Sequence, residues 1–236
     1  MVVSLVLPCY NPPSDWERII CEQYSVFQKH VKEQVELVVV MDGTSGHVKK
    51  EALDYLQQEA PSIKLITYPV NRGKGYAIRQ GVKASSGDVI LYTDVDFPYT
   101  IASMLAVYEP LRNNECDVAV GVKNDTYYSQ VPFVRRLISK YLRFLISVLL
   151  SMPITDTQCG LKGFKRAVAP VFLATTIDRY LFDLEFLKKC FRSKQWRVKA
   201  IQVALNDNVH FRNMNYRILL PEMVNFIKLL TSKSNE

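Results

Sequence analysis

The chain has 236 residues, 48% hydrophobic and 22% charged, which suits one sizeable core and excludes disorder over any long stretch. A formal net charge of +7 calls for an anionic partner without choosing among nucleic acid, phosphate and membrane lipid. Five cysteines, Cys9, Cys21, Cys116, Cys159 and Cys190, contain no C-x-x-C pair, which points to a reducing compartment and away from zinc or a redox centre.

Residues 2–7 form a short apolar run ended by Pro8. With no basic leader they read as a buried strand, neither a signal peptide nor a membrane span. The spacing of Trp16, Ile19, Ile20, Tyr24 and Phe27 predicts a helix over 14–30 capped by Ser14. A second β-branched run, 37–41, ends at Asp42-Gly43 and completes a β-α-β unit. The alternation continues with helix 47–60, strand 63–67, helix 74–84, strand 88–93, helix 100–112 and strand 117–120. Such a pattern predicts an α/β domain with a mainly parallel sheet flanked by helices. Ligands of such sheets gather at the carboxyl ends of the strands, here 8–11, 42–45, 68–75 and 94–98. Further on the pattern is less regular: a long helix over 132–150, a strand over 198–205 and a final helix over 216–230 with Pro221 near its start. No repeat or linker divides the chain, so it reads as a single domain over 1–236.

Asp94 and Asp96 flank one residue directly after an apolar strand, which places two hard-oxygen ligands where Mg2+ or Mn2+ could bridge them to a substrate's phosphates. Alone, D-x-D is frequent and could equally belong to a helix N-cap region. Its neighbours narrow the reading. Asn71-Arg72-Gly73-Lys74-Gly75-Tyr76-Ala77 is followed by Gly81, by Ser86-Gly87-Asp88, by the strand and by Asp94-Val95-Asp96, with Pro8-Cys9-Tyr10-Asn11 upstream. The glycines match neither the dinucleotide nor the Walker pattern. In this order the motifs resemble the nucleotide-binding half of inverting family 2 glycosyltransferases of the GT-A fold, which include dolichol-phosphate mannose synthases. The resemblance implies a nucleotide-sugar half over 1–121 and an acceptor and membrane-proximal half over 122–236. It also implies that Pro8, Tyr10, Asn11 and Asp42 surround base and ribose, that Gly73 and Lys74 belong to the donor site, and that Asp94 and Asp96 serve ribose, metal and diphosphate, Asp96 ahead of Asp94 as metal ligand. Two departures bear on base specificity. Met41-Asp42-Gly43-Thr44 stands where paired acids often precede Gly-Ser, and Pro12-Pro13 replaces the usual Glu after Asn11.

A second motif, Thr155-Asp156-Thr157-Gln158-Cys159-Gly160-Leu161-Lys162-Gly163-Phe164, resembles the D-T-Q-C-G-F-K segment of dolichyl-phosphate glucosyltransferases and bacterial polyprenyl-phosphate glycosyltransferases. Arg179-Tyr180-Leu181-Phe182-Asp183-Leu184-Glu185 resembles their following R-x-x-F-D-x-E segment. This implies transfer from a UDP-sugar, UDP-glucose or UDP-N-acetylglucosamine, to a polyprenyl phosphate. Such an acceptor is already an anion near neutral pH, so positioning and charge neutralisation dominate over base catalysis. Asp156 would organise the acceptor or accept a proton, with Gln158 beside it, or both would merely brace a turn. Asp183 and Glu185 would orient sugar or acceptor, or make ion pairs with Arg166 or Lys188. Lys123 falls where the family places a phosphate-contacting cation, or is an ordinary exposed lysine. Arg135 and Arg136 are either phosphate contacts or solvated helix residues.

Arg135, Arg136, Lys140 and Arg143 interleave with Phe133, Leu137, Tyr141, Phe144, Leu145, Val148 and Leu149, the pattern of a basic amphipathic helix lying in a lipid interface. Residues 216–230 offer a second such surface, or pack on the protein's own core. The sequence holds no spanning helix, so a peripheral place on the cytoplasmic face of the cell membrane is expected, alone or with a small multi-span membrane partner. Two further readings stay open: a glycosyltransferase for a soluble or polysaccharide acceptor in cell-wall or surface glycan synthesis, and a non-catalytic binding subunit of a membrane glycan-assembly complex. Clustered Asp94, Asp96 and Asp156 speak against the subunit. Cations interleaved with aliphatic more than aromatic residues speak against nucleic acid.

Overall fold

The computed structural model describes residues 1–43, 48–123, 137, 140–141, 143, 146–148, 150, 152–154, 156–206 and 219–231. Strands β1 (Val2–Cys9) and β2 (Gln34–Asp42) are the two apolar runs of the N-terminal unit, each longer than its apolar core. Pro8 does not end β1. Pairing with β4 (Val89–Tyr92) stops at Val6, whereas pairing with β2 continues to Cys9, so a residue without an N–H is tolerated there. Helix α1 (Trp16–His30) starts from Asp15 in the left-handed region, φ 57°, with no side-chain cap. The expected Ser14 cap is therefore corrected: the backbone makes this turn, Arg18 and Ile19 donating to the Asp15 carbonyl at 3.1 Å.

Next come α2 (Lys50–Glu59), β3 (Lys64–Tyr68), α3 (Lys74–Ala84), then, past β4, α4 (Ile101–Arg112) and β5 (Val118–Lys123), in the order the periodicity predicts. Thr100 caps α4, its hydroxyl oxygen accepting from the Ser103 amide at 3.2 Å. The chain then adds β6 (Lys162–Lys165), α5 (Ala169–Leu173), α6 (Phe182–Ser193), β7 (Val198–Val203) and α7 (Leu219–Thr231). Of the helix expected over 132–150, residues 137, 140, 141, 143, 146–148 and 150 are described and helical, and the rest lies outside the described residues. So do residues 216–218 of the expected final helix.

The strands form one seven-stranded sheet in the order β3-β2-β1-β4-β6-β5-β7. Every neighbouring pair is parallel except those of β6, which runs antiparallel to both β4 and β5. Alternate residues of the central strands feed two layers. Val3, Leu5 and Leu7 with Leu37 and Val39 pack under Trp16, Ile20, Phe27, Leu56 and Tyr108 of α1, α2 and α4. Val6, Val38 and Val40 pack on the opposite side against α3, α5, α6 and the inward face of α7. Helices on both faces explain why β1 and β2 read as continuous apolar runs rather than alternating ones. Full burial of each such Val or Leu contributes about 2 kcal/mol. It fixes the carboxyl edge from which the functional loops emerge.

Candidate active site

Asp42, at the end of β2, is buried, and its carboxylate gathers donors from the loop after β3. Tyr68 Oη donates at 2.9 Å, Asn71 Nδ2 at 2.9 Å, and the amides of Arg72 and Gly73 at 2.7 and 2.9 Å. Its oxygens are thus taken up in shaping residues 71–73. Gly73 then turns at φ 110°, and a Cβ there would stand 2.5 Å from the Asp178 carbonyl oxygen, so only glycine fits. This turn launches α3 with Lys74 pointing at the end of β4, where its Nζ lies 2.5 Å from Asp94 Oδ1. Burial works against the Lys74 charge, but the Asp94 and Asp183 carboxylates outweigh it and hold the ammonium above the usual lysine range.

Asp94 and Asp96 follow β4 in a tight turn closed by the Phe97 amide on the Asp94 carbonyl at 3.0 Å. Asp94 is partly exposed and Asp96 exposed, so both carboxylates stand at the rim of the sheet rather than in its core. Among the described residues no group of three or more His, Cys, Asp or Glu is arranged to hold a metal. A cation here would take one or two carboxylates and complete its shell with water and substrate phosphates. Mg2+ and Mn2+ accept that donor set, and the two aspartates fit it.

The reversed direction of β6 brings the second motif to the same place. Lys162 pairs with Tyr92, the last residue of β4, so the loop preceding β6 arrives at the carboxyl edge beside Asp94. Gly160 lies so close that a Cβ would stand 2.5 Å from Asp94 Oδ2 and 3.4 Å from Lys74 Nζ. The loop is anchored along its length. The Gly160 amide donates to Tyr99 Oη at 3.0 Å, the Gly121 amide to the Leu161 carbonyl at 3.0 Å, and Lys162 Nζ to the Cys159 carbonyl. At the end of β5, Asp156 Oδ2 accepts from the Lys123 amide at 2.8 Å, and Lys123 Nζ lies 3.9 Å from Asp156 Oδ1 and 3.4 Å from the Gln158 carbonyl. Lys123, Asp156 and Gln158 therefore form one cluster, with Lys123 largely covered rather than freely solvated.

Asp183 and Glu185 turn inward. Asp183 accepts from Tyr92 Oη at 2.5 Å and pairs with the fully buried Lys162 at 3.0 Å, which ties the two acceptor-side motifs together beneath the site. Burial, with Asp183 alongside, pushes the Tyr92 hydroxyl well above the tyrosine range. Glu185 accepts the amides of Thr176 and Ile177 at 2.8 and 2.9 Å, and its ion-pair partner is Lys189 at 3.9 Å. Of the two cations weighed as alternative partners, Lys188 lies in the field of Glu185. Arg166 instead serves the Gly87 carbonyl and Ser85 hydroxyl, and Lys188 Nζ reaches the Leu229 carbonyl on α7.

Pro8 closes toward the end of β1, while Tyr10 and Asn11 are exposed just beyond it, Asn11 at φ 45°. Arg135 and Arg136 lie outside the described residues. A cavity of about 470 Å³ opens between the N-terminal ends of α1 and α2, lined by Trp16, Lys49 and Tyr55 among others, and none of the residues around Asp94 borders it. The sequence did not mark Tyr92, Tyr99 or Lys162 as site-shaping. Lys162, a charge between apolar Leu161 and Phe164, was the one readable signal.

The glycosyl transferase family 2 model matches residues 4–172. The dolichyl-phosphate beta-glucosyltransferase of Homo sapiens is 29% identical over 218 residues, covering 86% of this chain and 66% of that protein. Its Saccharomyces cerevisiae counterpart is 23% identical over 224 residues, covering 87% of this chain and 67% of that one. The chain thus spans about 66% of the length of the human relative. In fold, it is similar to glucosyl-3-phosphoglycerate synthase from Mycobacterium tuberculosis, solved with Mn2+, UDP and glucosyl-3-phosphoglycerate, at TM-score 0.65 and 17% identity over 97% of this chain and 78% of that one. Mannosyl-3-phosphoglycerate synthase from Rubrobacter xylanophilus gives TM-score 0.61 at 15% identity over 97% of this chain and 72% of that one. The α/β sheet with its GT-A-like neighbours and a family match running through both motif regions lead to one conclusion: the chain belongs to glycosyl transferase family 2.

Proposed function

We propose that the chain transfers a sugar, glucose in the first instance, from a UDP-sugar to a polyprenyl phosphate at the cytoplasmic face of a membrane, inverting the anomeric carbon. The carrying observation is the seam where Gly160 of the acceptor-side loop abuts Asp94 and Lys74 of the donor-side loops. Family membership supports sugar transfer, and the glucosyl and dolichyl-phosphate terms in the relatives' names favour this sugar and acceptor class over N-acetylglucosamine and over a soluble acceptor.

In this reading an acceptor phosphate oxygen bonds to the anomeric carbon as that carbon's bond to the diphosphate oxygen breaks. The electron pair leaves with UDP, and no proton has to be moved. Lys74 is placed to offset charge growing on the diphosphate. A divalent cation held by Asp94 and Asp96 would supply further neutralisation of that leaving group. Lys123 offers a cation to the acceptor, and Asp156, engaged by the amide and ammonium of Lys123, is its organiser rather than a base.

The membrane enters through surfaces that leave apolar side chains outward. Met223, Val224 and Ile227 of α7 are 61, 52 and 56% exposed, and Leu137, Tyr141 and Val148 are 58, 63 and 58% exposed, with Lys140 and Lys228 exposed beside them. No helix among the described residues is long and apolar enough to cross a membrane. A multi-span partner gains no support from the fold or the relatives and forms no part of the proposal. The test is to incubate the protein with UDP-glucose, UDP-N-acetylglucosamine and a polyprenyl phosphate in detergent, and to weigh the lipids by mass spectrometry. A hexosyl-phosphoryl lipid that disappears in Asp96→Ala is expected, whereas transfer only to water-soluble acceptors would refute the lipid reading.

A further inference from the structure

One of the two carboxylates best placed to hold a cation is already neutralised by the protein: Lys74 Nζ sits 2.5 Å from Asp94 Oδ1. The pair is not sealed in the core. The Lys74 side chain is 20% exposed and that of Asp94 38%, so both reach solvent, as the exposed Asp96 two residues on does. Gly160 abuts the other oxygen of Asp94, close enough that a Cβ there would stand 2.5 Å from Oδ2, and only a residue without a side chain lets that oxygen keep its place. A second carboxylate, the buried Asp183, also acts on Lys74. An ammonium drawn off Asp94 would therefore remain in the field of another anion rather than stand uncompensated.

We infer that Lys74 is an internal counter-ion that occupies the cation position on Asp94 until a nucleoside diphosphate draws it away, making cation binding conditional on the nucleotide. The inference rests on the donor site proposed above. Without nucleotide, a divalent cation at Asp94 and Asp96 must either expel Lys74 toward the protein wall or sit beside its positive charge, and both are unfavourable in a partly desolvated site. A diphosphate removes the conflict, because its oxygens attract the ammonium and at the same time offer ligands to the cation. Charge stays balanced throughout: Asp94 exchanges one cationic partner for another, and Lys74 exchanges a carboxylate for a phosphate.

The experiment is a titration with Mn2+ alone, following free Mn2+ by electron paramagnetic resonance, on wild type, Lys74→Met and Lys74→Gln, and then again with UDP present. Near-ultraviolet circular dichroism checks that each variant is folded. Both variants should bind Mn2+ at least about fivefold more tightly than wild type without UDP, the equivalent of losing a partly exposed ion pair of about 1 kcal/mol. By linkage, the factor by which UDP tightens Mn2+ binding should shrink in the same proportion. Adding Asp96→Ala to Lys74→Met should erase the gain. Unchanged or weaker Mn2+ binding by both variants overturns the inference, as does a gain that survives Asp96→Ala. If wild type binds no UDP at all, the donor reading itself fails. If it binds UDP while the Lys74 variants match wild type with Mn2+, only the counter-ion role fails.

Discussion

Asp42 and Asp96 are both carboxylates at strand ends, yet one is buried among donors and the other is exposed. Asp42 is 3% exposed and satisfies four donors from residues 68–73, so Asp42→Ala should cost about 3 kcal/mol in urea unfolding by orphaning the buried Gly73 amide and three part-buried donors. Asp96 is exposed at the rim, and Asp96→Ala should abolish transfer while lowering the unfolding midpoint far less than Asp42→Ala does. The Lys162–Asp183 pair allows a sharper comparison. Lys162→Met alone leaves a buried carboxylate without its cation and should destabilise by about 3–5 kcal/mol, whereas Lys162→Met combined with Asp183→Asn should recover most of that loss. In the sequence these acids stood out equally, through motifs. What separates a bracing carboxylate from a presenting one is which distant amides reach it, and that is settled by chain crossings no local pattern records. Lys123 is the same case: Asp156 and Gln158 cover it, so it is not the solvated lysine a strand end usually shows.

At the scale of elements, the strands and helices up to residue 123 were legible because most bury one continuous apolar run or stripe, while β3, at the sheet edge, is only partly covered. Strand β6 was not. Its four residues, Lys162–Lys165, are charged at both ends and contain a glycine, so neither alternation nor an apolar run announces them, and their antiparallel direction follows only from the sheet they join. That one reversal places the Asp156–Gly160 loop against the Asp94 turn. Gly160→Ala should therefore weaken UDP affinity by tenfold or more, roughly the 1.4 kcal/mol that a displaced charged contact represents, as read by calorimetry. The melting temperature should stay within about 3 °C, because the clash is with a movable side-chain end. At the opposite, amino edge, Glu36 joins β1, β3 and the turn before β4 by accepting from Ser4 Oγ at 2.6 Å and from the Ser86 amide and hydroxyl at 2.8 and 2.9 Å, and by pairing with Lys64. Burial alone would raise its pKa, but Lys64 and the serines overrule it and hold it down to about 2. The folded value lies below the unfolded one, so this stabilisation is complete above about pH 5 and lost as pH falls toward 2. Glu36→Gln should flatten that acid limb of the stability curve, on the order of 3 kcal/mol.

For the whole molecule, the net charge of +7 and the outward apolar stripe of α7 are the two features the membrane proposal joins. Helix α7 buries Phe226 and Leu229 against the core, so packing on the protein's own core holds for one face, and it leaves Met223, Val224, Ile227 and Leu230 outward as the surface the membrane proposal uses. Replacing Ile227 and Val224 by Asp should lower co-sedimentation with anionic phosphatidylglycerol vesicles severalfold while leaving UDP binding in solution intact. The architecture and the loops at its carboxyl edge could be read from the sequence because parallel α/β sheets leave so few places for ligand loops. The way the two motif regions meet could not, since it depends on one reversed strand. The central claim is that Asp94 and Asp96 grip a nucleoside diphosphate through a divalent cation. Calorimetric titration of UDP with and without Mn2+, on wild type and Asp96→Ala, tests it most directly. Mn2+ should tighten UDP binding at least about tenfold in wild type, roughly 1.4 kcal/mol, and have no effect in Asp96→Ala; equal UDP affinity with and without Mn2+ in wild type would contradict the account.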